Sequence, residues 1–188
     1  MIEIRHLVPA VVVATGMTAC GGAEPYSPTR STCDASAPTG TVFVTEQRPD
    51  VPFTVQIPRL SAWYQTPAEG GDSVLRLGLG KGDATVTLRV LPARRTSSFA
   101  VGLKDDGWRG LASETTSVCG LDAQRTTGIS TTSEGDLYKE FLGFSYDVGE
   151  MSYPIMMFAQ APATDRDMYR PDFGTFVNGL EIVSRRTY

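Results

Sequence analysis

Large apolar residues alternate with polar ones at a period of two through most of the chain after Thr41, the signature of half-buried strands. Val42 and Val44 open one strand, and Phe53, Val55 and Ile57 make a second that Pro58 ends. Leu75, Leu77 and Leu79 alternate up to Gly80-Lys81-Gly82-Asp83, and Val86, Leu88 and Val90 alternate back, which predicts a hairpin. Further strands are predicted from Ser113 to Val118, Asp122 to Thr131, Leu137 to Val148 and Ile155 to Ala161, with Pro154 placing the last at a sheet edge or a bulge. Two segments change period. From Ser97 to Asp106 a Thr/Ser cap precedes Phe99, Ala100 and Leu103 on one face, against the weakening effect of Gly102 and Gly107. Near the C-terminus, Pro171 suits a first helical position, Phe173, Phe176, Val177 and Leu180 form one stripe, and Gly179 marks the stop. Strands joined mostly by short turns, with two helices, predict an α+β fold in which an antiparallel β-sheet is packed by two main helices.

The segment before Thr41 follows another logic. One cation, Arg5, precedes a short apolar stretch from Leu7 to Ala14, and small residues lead to Cys20 in Thr15-Gly16-Met17-Thr18-Ala19-Cys20-Gly21-Gly22. This is the layout of an export signal whose processing point falls at a cysteine. It resembles a bacterial lipobox, with Met17 where Leu is usual. The resemblance implies a signal over residues 1–19 and a diacylglycerol thioether on Cys20, with a plain signal peptide as the alternative. The apolar run is too short to span a bilayer, which takes about 20 residues, whereas two or more acyl chains anchor stably. Residues 20–40 are rich in Pro, Ser, Thr and Gly with few large apolar side chains and read as a tether. Residues 41–188 then make a single domain. The expected location is the extracytoplasmic face of the cell membrane.

Composition narrows the chemistry. The net charge of −4 and the lack of any basic block argue against nucleic acid as a partner. The single histidine is His6, inside the signal, so the processed protein would have none. That removes Ser-His-Asp and Cys-His nucleophiles and histidine metal sites. We therefore expect no enzyme activity, no cofactor and no metal. Two cysteines remain after processing, Cys33 and Cys119. In an exported chain such a pair reads as a disulfide worth about 4 to 5 kcal/mol in the chain-entropy account, with buried free thiols as the alternative.

Other motifs have plain readings. Gly78-Leu79-Gly80-Lys81-Gly82 imitates a phosphate loop, but a strand follows it where a phosphate site needs a helix N-terminus. The carboxylate pairs Asp105-Asp106, Glu134 with Asp136, and Asp165 with Asp167 fall in predicted turns and helix ends. Tyr153, Ile155, Met156, Met157 and Phe158 combine thioethers and aromatics, a composition suited to acyl chains or varied partners. Core packing on both faces of a strand explains them as well, and Trp63 divides likewise between core and ligand platform.

The strand Phe53-Thr54-Val55-Gln56-Ile57-Pro58, then Trp63, a hairpin, a helix, Gly120-Leu121-Asp122-Ala123-Gln124-Arg125-Thr126-Thr127-Gly128, two long strands and a closing helix together resemble the mycobacterial LpqN/LpqT lipoprotein family. The resemblance covers about residues 41 to 184 plus the lipobox. The family often has Pro-Gly-Trp after its first strand, where this chain has the longer Pro58-Arg59-Leu60-Ser61-Ala62-Trp63. It implies a PsbP-like α/β sandwich and a cell-envelope lipoprotein with a non-catalytic binding or accessory role toward envelope glycolipids or a membrane transport protein that exports them. Trp63, Met156, Met157 and Phe158 are the candidate contacts for such a ligand or partner. A purely protein-interaction module at the cell surface is the alternative, and a carboxylate-dependent hydrolase is a third reading.

Overall fold

The computed structural model describes residues 41–68, 71–95 and 107–184. Eleven strands and one α-helix form along them: β1 (Val42–Val44), β2 (Phe53–Pro58), β3 (Tyr64–Thr66), β4 (Leu75–Lys81), β5 (Ala84–Val90), β6 (Arg94–Arg95), β7 (Trp108–Val118), β8 (Leu121–Thr132), β9 (Gly135–Val148), β10 (Met151–Pro162), α1 (Arg166–Asn178) and β11 (Glu181–Ser184). They make two antiparallel sheets. A small one has the order β1-β2-β11, and a large one runs β3-β4-β5-β10-β9-β8-β7 with β6 added beside β10. The single predicted sheet is thus divided in two, because β11, too short to register as an alternating run, pairs with β2.

The period of two explains the inner face of the large sheet. Leu77, Leu88, Met157 and Leu142 lie in one row across β4, β5, β10 and β9, and all four are buried. Over this face α1 lays Tyr169, Phe173, Phe176 and Val177, all buried. The small sheet joins the same core where Phe53 meets Tyr146 and Tyr153 edge-on, each with ring centroids 5.0 Å apart. The β4–β5 hairpin forms where expected, and Gly78 has a steric reason: a Cβ there would come within 2.8 Å of the Thr66 carbonyl oxygen on β3.

Three expectations are corrected or fall outside these residues. Pro154 is at neither an edge nor a bulge: it is buried in β10, between β9 and β5. Its missing N–H is tolerated because it falls at the break between β5 and β6, where the Leu91 N–H donates to the Pro154 carbonyl. Pro171 is inside α1, not at its start, because a 3-10 turn at Ala163–Asp165 brings the chain into the helix at Arg166. The cost is one hydrogen bond to Asp167 on the exposed side. Gly179 does end the helix, its N–H donating to the Thr175 carbonyl. The helix expected from Ser97 to Asp106 lies outside the described residues, which hold one α-helix. No helix among them is long and apolar enough to cross a membrane.

Candidate functional site

The outer face of the large sheet carries the other half of the alternation. Phe158, Phe141, Thr126 and Ser113 share one row across β10, β9, β8 and β7, and Met156, Gly143, Gln124 and Thr115 share the next. Phe158 and Phe141 pack with centroids 5.0 Å apart. Beyond them, toward β7, the side chains become short and polar, and Gly143 has none. The result is a groove of about 520 Å³, lined by Ser113, Glu114 and Thr115 of β7, Leu121 to Gln124 of β8, and Gly143 to Ser145 of β9. Its charged lining residues are Glu114 and Asp122. The Ser145 hydroxyl is buried and has no hydrogen-bond partner, an unusual state for a buried polar atom.

A buried ion pair stands behind the groove, on the inner face. Glu140 is 2% exposed. Its Oε2 accepts hydrogen bonds from Arg125 Nε and Nη2 at 3.0 and 2.7 Å, and its Oε1 accepts one from the Tyr138 hydroxyl at 2.6 Å. Arg125 also reaches the carboxylate of Glu114, its cross-strand neighbour on β7, at 3.5 Å. Burial, reinforced by the hydrogen bond to Glu140, pushes the Tyr138 phenol up to about 12. The Arg125 pKa is also raised: burial pulls it down, and the Glu140 carboxylate more than offsets that.

The candidate contacts separate by face. Trp63 is a core residue at 5% exposure: its indole N–H donates to Asp172 Oδ2 at 2.8 Å, and its ring meets Phe176 edge-on at 5.0 Å. Met157 is buried on the inner face. Met156 and Phe158 are half-buried on the outer face, and the Met156 row continues through Gly143 into the groove. Cys119 occupies the β7–β8 turn, its Sγ 2.9 Å from the Leu180 carbonyl oxygen, while Cys20 and Cys33 lie outside the described residues. Asp136 forms a surface ion pair with Arg109 at 2.9 Å, and the Thr131 hydroxyl and that guanidinium hold its carboxyl below the usual range. Among the described residues no three His, Cys, Asp or Glu side chains cluster as a metal site.

The groove residues Ser113, Thr115, Gln124 and Ser145 were not singled out in the sequence, where they read as the solvent side of ordinary strands. Asp122 and Gln124 do fall within the Gly120–Gly128 phrase. Their convergence with Ser113 and Ser145 depends on the register of three strands, which alternation alone does not supply.

No family profile matches the chain, and no curated protein matches it in sequence. Among solved structures, LpqN, described as involved in cell envelope biogenesis of Mycobacterium tuberculosis, superposes at a TM-score of 0.55 with 12% identity, over 76% of this chain and 91% of that one. A Pseudomonas aeruginosa protein, PA94, described as a putative regulator, aligns at a TM-score of only 0.35 with 10% identity, over 72% of this chain and 92% of that one. At this identity the likeness to LpqN is one of fold: this chain is built as LpqN is built.

Proposed function

We propose that this is a lipid-anchored cell-envelope protein with a non-catalytic binding role, its outer-face groove receiving the hydroxyl-rich head of an envelope glycolipid. The groove carries this reading. Its volume falls in the range of small-ligand sites, about 300 to 1,000 Å³, and its Ser, Thr, Gln and carboxylate lining offers donors and acceptors suited to sugar hydroxyls. The unpartnered Ser145 hydroxyl gains a partner from such a ligand. Met156 and Phe158, beside the groove, offer apolar surface to an alkyl chain. The fold shared with LpqN, and the lipobox-like Cys20, support a place in the envelope and a PsbP-like arrangement. A membrane transport protein that exports such lipids is the partner we would look for at this surface.

A purely protein-interacting surface receives less support. The exposed large apolar residues among the described ones, Val44, Tyr64, Leu111 and Met168, are few and sit on four different elements.

The proposed disulfide between Cys33 and Cys119 fits the path of the chain. Cys119 lies against Leu180, Gly179 abuts Pro58, and Pro58 pairs with Val42 at the start of β1. Residues 34–40 reach roughly 25 Å when extended, enough to return from that turn to Thr41. Intact mass after alkylation, with and without prior reduction, checks it: the pairing predicts two additional alkylation sites only after reduction.

The test of function is native mass spectrometry with lipid extraction on the full-length protein purified from a cell envelope containing its native lipids. The expected result is a co-purifying glycolipid, reduced at least about tenfold, or 1.4 kcal/mol, by Gln124→Trp, which fills the groove from an exposed position. A protein free of lipid would sink the reading, as would lipid retained equally by the variant.

A further inference from the structure

β7 ends the large sheet, and among the described residues no strand pairs with its outer side. The backbone groups that point outward follow from the turn. Cys119 and Gly120 have φ of 54° and 75°, a two-residue hairpin connection with both central residues left-handed. In such a hairpin the flanking residues, Val118 and Leu121, exchange both backbone hydrogen bonds. Counting back by twos, Thr116, Glu114 and Ala112 also turn their N–H and C=O toward β8. Ser117, Thr115 and Ser113 turn theirs outward. The register with β8 is unbroken from Ala112 to Val118, and the bulge at Gly110 lies beyond it.

Natural edges are commonly blocked by Lys, Pro, inward charges or shortness. This run has no Lys or Pro and is seven residues long; its one inward charge, Glu114, is drawn toward Arg125 within the sheet. The opposite edge, β3, is three residues long and gives a partner little to pair with.

We propose that a second copy of this chain docks on this edge, β7 pairing antiparallel with β7 about a twofold axis at Thr115. The sequence of the edge chooses the register. An axis at Glu114 would set two carboxylates directly opposite each other, a repulsive arrangement. An axis at Ser113 would draw Leu111 and the bulge into the ladder. With the axis at Thr115, the two threonines face each other, Ser113 faces Ser117, and Glu114 faces Thr116. All outward groups of the regular run are then satisfied. Ser113 and Thr115 also line the groove, so the second copy lies along its β7 side. The pairing stands whether or not the groove binds a glycolipid.

Seven residues per copy make an interface below the roughly 1,200 Å² of standard complexes, so association is concentration-dependent. The test is sedimentation equilibrium of the full chain as Cys20→Ser, which avoids acylation, with amide exchange read over residues 111–118. We expect a monomer–dimer equilibrium, with exchange at Ser113, Thr115 and Ser117 slowing as concentration rises. Thr115→Pro, which removes an outward N–H and leaves the β7–β8 ladder intact, weakens association at least about tenfold without altering the melt. Thr115→Lys and Thr115→Glu each stay monomeric alone and pair when mixed, which only the Thr115-centred register predicts. A monomer up to about 1 mM, the weak end of measurable association, overturns the proposal. So does a dimer indifferent to Thr115→Pro. Slow exchange at these amides in a monomer also overturns it, and would assign the edge to another segment of this chain, such as the tether.

Discussion

Asp172 shows how much one side chain can hold together. Its Oδ2 accepts both the Trp63 indole N–H and the Lys81 ammonium at 2.8 Å, so α1 is fixed at once to the loop before β3 and to the end of β4. Asp172→Ala leaves a buried indole N–H without an acceptor, and we expect a loss of about 2 kcal/mol in denaturant unfolding. Lys81→Met, which leaves the Trp63 bond in place, should cost less than about 1 kcal/mol, since this ion pair is about a quarter exposed. Tyr138 gives a different signature. Its phenol titrates at about 12 in the folded protein and near 10 when unfolded. The unfolded state therefore releases its proton first, and stability present below pH 10 is lost as the pH rises toward 12. Urea midpoints across that interval should fall for the native chain, and more gently for Tyr138→Phe. None of this was legible in the sequence. Trp63 and Asp172 are far apart along the chain, and an isolated aspartate in a helix looks like solvated surface.

At the scale of elements, legibility followed period. β4, β5, β8 and β9 appear where alternation places them, because each buries one face against a contiguous core. β3, β6 and β11 are too short to carry a period, and are held by partners that pattern cannot name. The rules that place Pro154 at an edge or bulge and Pro171 at a helix start hold for isolated elements. In the fold, a gap between neighbouring strands and a preceding 3-10 turn supply conditions those rules omit. The junction after α1 offers a direct check. A methyl group on Gly179 would run into the Pro58 ring and approach the Thr175 carbonyl at 3.2 Å. Gly179→Ala should therefore destabilise by about 1 to 3 kcal/mol in thermal or denaturant melts, and Pro58→Ala should relieve part of that loss.

For the whole molecule, the order of pairing along the chain has a consequence for when the fold can form. β7 to β10 meet through turns of two residues, and these sequential neighbours can assemble early. β2 cannot be completed so soon, because its partner β11 ends at Ser184, opposite Phe53, and Gln56 donates to the Glu181 carboxylate at 2.9 Å. A chain cut after Asn178 should lack two-state unfolding and expose the edge of β2, as read by circular dichroism and dye binding. During synthesis this closure waits until residues 181–184 have left the ribosome, long after β2 itself has been made. For the export proposed above, an unfolded thread gains from such a delay, and the delay lies in which strand closes the small sheet.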